Sequence, residues 1–298
     1  MKFLRIDGKL QKDAQGKFIT VPDNYDNQPL TLEGKLLKTS AGLIGNKDKP
    51  AKGYTDCITF TGESSDFTLK AKNKEWNGTV EYSTDHETWT EWDGSEISSN
   101  GQKLYLRGSG NTKFYMGHGS RLSLSARAAC SGNIQTLLEY SNPPTNIPAA
   151  GCYFDMFRHC TNLTTAPELP ATTLANFCYF DMFRDCTNLT AAPELPATTL
   201  ANSCYQSMFD GCTNLTTAPE LPATTLANDC YHNMFYGCTS LRISSTQSLE
   251  YPTAWRIPSS GTISSIATNW NMNMLIGTGG TFTSSPSINT TYYGAWSK

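Results

Sequence analysis

The chain has 298 residues, a formal net charge of −3 and only 16% charged residues, against roughly 25% in an average soluble domain. Its 13 Phe, 14 Tyr and 6 Trp argue against a disordered chain, and the low charge argues against a charge-rich helical bundle. The slightly acidic balance argues against a nucleic-acid partner, and the length suggests about two domains.

Residues 1–52 carry the stretches KFITVPDNYDN, LTLEGKLL and GLIGNKDKPAKG, which read as short strands separated by turns. The segment is expected to be an arm or anchor, with an extra hairpin or a partly ordered terminus as the alternative. Lys2 and Arg5 open the chain but no apolar h-region follows, and no stretch reaches 18 apolar residues. The expectation is therefore a protein kept in the cytosol, released by lysis, or deprived of its export signal.

Residues 53–128 alternate in CITFTG, DFTLKAK, TVEYST, KLYLRGS, KFYMG and RLSLSAR, with turn signals such as WNG, DGS and GSGN between them. Several strands at this spacing predict a small β-sandwich. Trp76, Trp89 and Trp92 fall around its turns. Packing is the favoured reading for them, ahead of stacking on a sugar or a partner.

Residues 129–298 are governed by a repeat. Eight of the ten cysteines (Cys152, Cys160, Cys178, Cys186, Cys204, Cys212, Cys230 and Cys238) recur with a period of 26. Residues 152–177 read CYFDMFRHCTNLTTAPELPATTLANF; units starting at Cys178 and Cys204 repeat them, and a fourth starting at Cys230 diverges after CYHNMFYGCTSL. Such a period lies in the range of leucine-rich repeats, whose turns bury an apolar side only by stacking. Met156, Phe157, Cys160, Leu163, Ala166, Leu169 and Leu174 are the predicted inward positions. LTTAPELP is expected to carry a short parallel strand, and CYFDMF, with apolar residues three to four apart, a short helical turn.

An N-terminal cap is expected over 129–151, because Leu137 lies 26 residues before Leu163. The repeats then occupy 152–241 and a C-terminal cap 242–298. In that cap FTSSPSINTT at 282–291 mimics LTTAPELPAT, Met274–Leu275 takes the place of Met–Phe, and about 15 residues are inserted around Tyr251–Ser265. The predicted fold class is mainly β with short helical turns: a β-sandwich followed by a capped leucine-rich-repeat solenoid.

The pattern C-Y-x-x-M-F-x-x-C-T-N-L-T-x-A-P-E-L-P-A-T-T-L-A resembles the BspA-like leucine-rich repeats of gut and oral bacteria and their phages. The resemblance extends to GTGGTFTSSPSINTTYY and to residues 82–111, so that it covers roughly residues 54–298. It implies surface binding or attachment, with no catalytic residues to carry over. BspA-like surface proteins carry an export signal, and none is visible here. That shifts the expectation toward a phage tail or fibre protein, located in the virion and extracellular after release. The alternatives are a bacterial cell-surface adhesin and a structural or decorating virion protein without a receptor. The implied partners are a host or neighbouring cell-surface protein or glycan, other virion proteins through the N-terminal part, and further copies of the chain.

Other chemistry is sparse. No C-x-x-C pair exists, and His159 and His232 occupy different repeat positions. The cysteines therefore read as buried thiols ahead of disulfides or metal ligands, and no metal or cofactor is expected. GHGS at 117–120 is not G-x-S-x-G and GTGGTF lacks a phosphate-loop lysine, so the protein is expected not to be an enzyme. Glu168, Glu194 and Glu220 share one repeat position, as a solvated row or a site for a cation or basic partner. The segment 152–241 carries a net −6.

The repeats vary at a few positions only. These are Phe154, Asp155, Arg158 and His159; Phe180, Asp181, Arg184 and Asp185; Gln206, Ser207, Asp210 and Gly211; and His232, Asn233, Tyr236 and Gly237. Phe177, Ser203 and Asp229 vary as well. A fixed scaffold with one varied face suits ligand recognition; drift at tolerant surface sites is the alternative.

Overall fold

The computed structural model describes residues 57–73, 75–115, 121–263 and 266–296, excepting the side chains of Glu75 and Tyr115. The chain divides into two compact units, Met1–Thr55 and Asp56–Lys298. Within the first, the description is confined to two-residue antiparallel ladders such as Thr31–Leu32 with Lys35–Leu36. The arm proposed for 1–52 otherwise lies outside the described residues, as does GHGS.

The second unit is mainly β. Its first strands are β1 (Ile58–Gly62), β2 (Thr68–Lys72), β3 (Glu75–Trp76), β4 (Thr79–Ser83), β5 (Thr90–Glu91), β6 (Ile97–Ser98), β7 (Lys103–Ser109), β8 (Phe114–Tyr115), β9 (Arg121–Leu124) and β10 (Ala128–Ser131). Apolar residues at every second position put one face of each long strand inside: Ile58 and Phe60, Leu69 and Ala71, Leu104 and Leu106, Leu122 and Leu124 are all buried. They join one continuous core. The strands form a sheet ordered β6-β2-β9, a two-stranded antiparallel ribbon of β3 and β8, and a larger sheet ordered β5-β4-β7-β1-β10-β11, where β11 is Leu163–Thr165 of the first repeat.

That last pairing anchors the repeats. Strand β11 lies parallel to β10, Ala128 opposite Leu163. The Tyr153 amide donates to the Phe114 carbonyl (2.9 Å) and the Leu122 amide to the Met156 carbonyl (2.8 Å). The first repeat thus rests on the sheets, and Leu163 pairs with Ala128, not with Leu137. Leu137 is buried instead in a single 3-10 turn, Ile134–Leu137, capped by the Asn133 side chain.

Within the repeats the backbone N–H groups divide their bonds alternately. Met156, Arg158 and Cys160 donate to the residue three before; Asp155, Phe157 and His159 donate to Phe180, Met182 and Arg184 of the next repeat, at 3.0, 2.9 and 2.7 Å. The same alternation continues into the later turns. The short helical turn expected at CYFDMF is therefore a run of tight turns. The reason is conformational: Asp155, Asp181, Ser207 and Asn233 have φ of 51–57°, and His159, Asp185, Gly211 and Gly237 have φ of 56–73°. A left-handed residue at every fourth position cannot continue an α-helix.

Inside, like side chains stack on like. Tyr153, Tyr179, Tyr205 and Tyr231 form one column with ring centroids 5.8, 5.8 and 6.0 Å apart. Phe157, Phe183, Phe209 and Phe235 form another at 5.5, 5.7 and 5.6 Å. All ten cysteines are buried free thiols. Burial pushes Cys152, Cys160 and Cys230 up to about 12. The thiols of Cys186, Cys212 and Cys238 donate to the carbonyls of Phe157, Phe183 and Phe209 at 3.0 Å.

Past the fourth turn the ladder advances by 14 extra residues: Tyr205 donates to the Cys230 carbonyl, but Tyr231 to that of Trp270. The extra residues join a three-stranded antiparallel sheet of β12 (Ile243–Ser244), β13 (Thr253–Arg256) and β14 (Thr291–Gly294), ordered β12-β14-β13. Met274–Leu275 stands where Met–Phe was expected, with the Phe235 amide donating to the Met274 carbonyl at 3.0 Å. Trp270 closes the tyrosine column edge-on at 6.3 Å.

Candidate interaction face

In each turn the motif C-Y-x-x-M-F-x-x-C sends Cys, Tyr, Met and Phe inward. The third and seventh residues face the other way. The ladder aligns them in two columns, because the carbonyls of Phe180, Gln206, His232 and Met272 accept from successive turns, as do those of Arg184, Asp210, Tyr236 and Ile276. One column is therefore Phe154, Phe180, Gln206, His232 and Met272; the other is Arg158, Arg184, Asp210, Tyr236 and Ile276.

The first column opens on aromatic rings. Phe154 and Phe180 stack at 4.7 Å with planes 1° apart, and Phe177 leans on Phe180 at 6.2 Å. Phe154 was expected on the outer face, but it is only 7% exposed; Phe180 covers it. Phe177 is the exposed ring, at 43%. Gln206 and His232 are half-buried, and His232 Nδ1 lies 3.4 Å from Asp229.

The second column is electrostatic at its start. Asp155 and Asp181, also expected on the binding face, are buried because their left-handed backbone turns the side chains under the arginines. Arg158 Nη1 lies 3.5 Å from Asp155 and 3.4 Å from Asp181. Arg184 reaches Asp181 at 3.4 Å through Nη1, and Asp210 at 3.3 Å and Asp185 at 3.8 Å through Nε. His159 Nδ1 sits 3.1 Å from Asp185. The arginines are thus counter-ions to buried carboxylates as well as surface groups.

Burial pushes the Asp210 carboxyl up to about 6; Arg184 opposes the shift, while Asp185 and Asp181 add to it. Burial raises Asp181 too, against the pull of both arginines. Desolvation lowers His159 despite the neighbouring Asp185.

At its far end the face is apolar. Tyr236, Met272 and Ile276 are 42%, 40% and 39% exposed. Met272 and Ile276 were missed in the sequence. The signal was the match of Met274–Leu275 to Met–Phe, which places them two residues to either side of Met274. Ser207 is buried, and Ser203, Asp229, Gly211 and Gly237 hold left-handed positions. A side chain at Gly211 would collide with the Asp185 carboxylate. Variation at these sites follows backbone geometry.

The tryptophans of the preceding sheets are committed to packing. Trp92 is buried, Trp76 stacks between Trp92 (5.4 Å) and Phe114 (5.2 Å), and Trp89 lies against the Arg107 guanidinium at 4.0 Å.

Compared with known proteins, the chain matches no family model, no curated protein and no solved structure.

Proposed function

We propose that this protein is a non-enzymatic recognition and attachment protein. In this reading residues 53–128 form a β-sandwich and the repeats form a capped BspA-like leucine-rich-repeat solenoid. The two outward columns contact a protein or glycan on a cell surface. The chain belongs to a phage tail or fibre and joins other virion proteins through its N-terminal part.

One observation carries the reading. Inward residues repeat almost unchanged while the outward columns pass from aromatic and cationic, through anionic, to apolar within five turns. Three large apolar side chains of the columns, Tyr236, Met272 and Ile276, are held 39–42% exposed, and Phe177, which leans on Phe180 from beside the first column, is 43% exposed. Exposed apolar groups grouped on one surface mark interaction sites.

The test is binding of fluorescently labelled protein to a panel of gut and oral bacterial cells. Phe177, Phe180 and Tyr236 are changed together to Ser, and folding is checked by the melting temperature. Loss of binding with a retained melting transition is expected. Unchanged binding by a folded variant overturns the proposed face.

A further inference from the structure

The start of the second outward column crowds carboxylates around one side chain, Arg184. Its Nη1 donates to Asp181 at 3.4 Å. On the other edge of the guanidinium, Nε lies 3.3 Å from Asp210 and 3.8 Å from Asp185. Neither approach is a hydrogen bond: the Nε–H groups of Arg184 and Arg158 are buried without an acceptor. A guanidinium presents its donors in a fixed fork, and its Nε–Nη2 edge fits both oxygens of one carboxylate. Asp210 and Asp185 therefore hold that edge of Arg184 by charge and leave its directed bonds unmade.

The surrounding charges come from four elements. The first turn supplies Asp155, Arg158 and His159, the second Asp181 and Asp185, and the third Asp210. Arg121 acts on His159 from β9. From the core side the thiols of Cys186, Cys212 and Cys238 feel these aspartates, and burial keeps them neutral. Three arginines, four aspartates and a neutral His159 leave the cluster one charge negative. Burial pushes the Asp210 carboxyl up to about 6 and raises Asp181 as well. A proton on Asp210 makes the cluster neutral. A second on His159, taken up in more acid solution because desolvation lowers that imidazole, makes it positive.

The same turn presents Phe180, and Phe177 leans on Phe180 at 6.2 Å. Ring surface and guanidinium on one turn suit an acidic sugar, whose C–H face covers a ring and whose carboxylate takes the fork.

We infer that acidification opens this face to acidic sugars: protonation of Asp210 releases Arg184, which turns its Nε–Nη2 fork outward onto the carboxylate of a uronic-acid residue seated on Phe180. The inference rests on the outward columns being the attachment face, and it names the ligand class and the control of that site.

Rhodamine-labelled oligogalacturonate is the probe, read by anisotropy at pH 7.5 and 5.5; its carboxylates stay ionised at both. With Asp210 titrating at about 6, its protonated fraction rises from about 3% to about three-quarters, which caps the gain in affinity at about 25-fold. The parent should tighten about tenfold, since Arg184 is already 36% exposed before release. Asp210→Asn should bind at pH 7.5 as tightly as the parent does at pH 5.5, and Arg184→Met should lose the gain. Changing the exposed Glu87, Glu91 and Glu96 to Gln should leave the parent's pH response intact. Melting temperatures confirm that the variants fold, and Asp210→Ser repeats the test should Asn disturb the turn. An affinity that does not change with pH, the parent's full pH response in Asp210→Asn or Arg184→Met, or tighter binding of oligoglutamate than of oligogalacturonate would overturn the inference. The attachment reading fails separately, through cell binding by the folded Phe177, Phe180 and Tyr236 variant.

Discussion

Asp181 is the residue where scaffold and proposed binding face meet. It has φ 52°, a side chain only 3% exposed, and contacts at 3.4 Å to both Arg158 and Arg184. Replacing one partner of a buried ion pair typically costs about 3–5 kcal/mol. The two arginines are 26% and 36% exposed, so water recovers part of that, leaving about 2 kcal/mol. Alanine in a left-handed conformation adds about 1 kcal/mol. Asp181→Ala should therefore lower the unfolding free energy by about 3 kcal/mol, whereas Asp181→Asn, which tolerates that conformation, should cost about half as much. Urea unfolding followed by tyrosine fluorescence measures both. In a double-mutant cycle, Asp181→Asn and Arg184→Met should show coupling above about 1 kcal/mol. Strict additivity, or an alanine cost below about 1 kcal/mol, would show that Arg184 is a plain surface residue and refute its role as a counter-ion.

Other outcomes follow from the same geometry. Phe183 is fully buried between the rings of Phe157 and Phe209, so Phe183→Ala should cost about 3–5 kcal/mol in the same unfolding assay. The Asp210 carboxyl is raised from 3.8 to about 6, so the folded state keeps a proton that the unfolded state releases. This group's contribution is fully present below pH 4 and falls as pH rises to about 6, by about 1–2 kcal/mol after allowance for solvent. Asp210→Asn should remove that slope from the pH dependence of unfolding. With all ten thiols buried and burial opposing thiolate formation, Ellman's reagent should leave the native protein unlabelled at pH 8 and label it on unfolding.

Much of the fold is legible in the sequence, for identifiable reasons. The sheets follow from period-two alternation, as at Leu104 and Leu106. Of the repeat's inward residues, Met156, Phe157, Cys160, Leu163 and Leu169 follow from the 26-residue period, while Ala166 and Leu174 are only partly buried and the buried Tyr153 column was not expected; the closing turn follows from Met274–Leu275. Two features are not legible. Leu137 lies one period before Leu163, yet Ala128 occupies the neighbouring place, because a strand of the preceding sheet offers a ready edge and the similarity around Leu137 is local. The left-handed residues also escape detection, since an apolar spacing of three to four suits a helix as well as a chain of turns. A subtler signal was present: Asp at the fourth position accompanies Arg at the seventh in the first two turns, and Ser207 or Asn233 accompanies Asp210 or Tyr236 later. That pairing marks a buried charge and its counter-ion, and it explains why Asp155 and Asp181 belong to the scaffold.

The most direct test of the proposed recognition role is hydroxyl-radical footprinting of the protein with and without purified bacterial cell envelopes, read by mass spectrometry. Phe180, Tyr236 and Met272 on the outward columns and Phe177 beside them are reactive side chains, while Met156, Met182, Met208 and Met234 are buried and serve as internal references. The proposed role predicts that envelope binding suppresses oxidation at the four outward residues and leaves the references unchanged. Binding with those four residues still fully oxidised would contradict it.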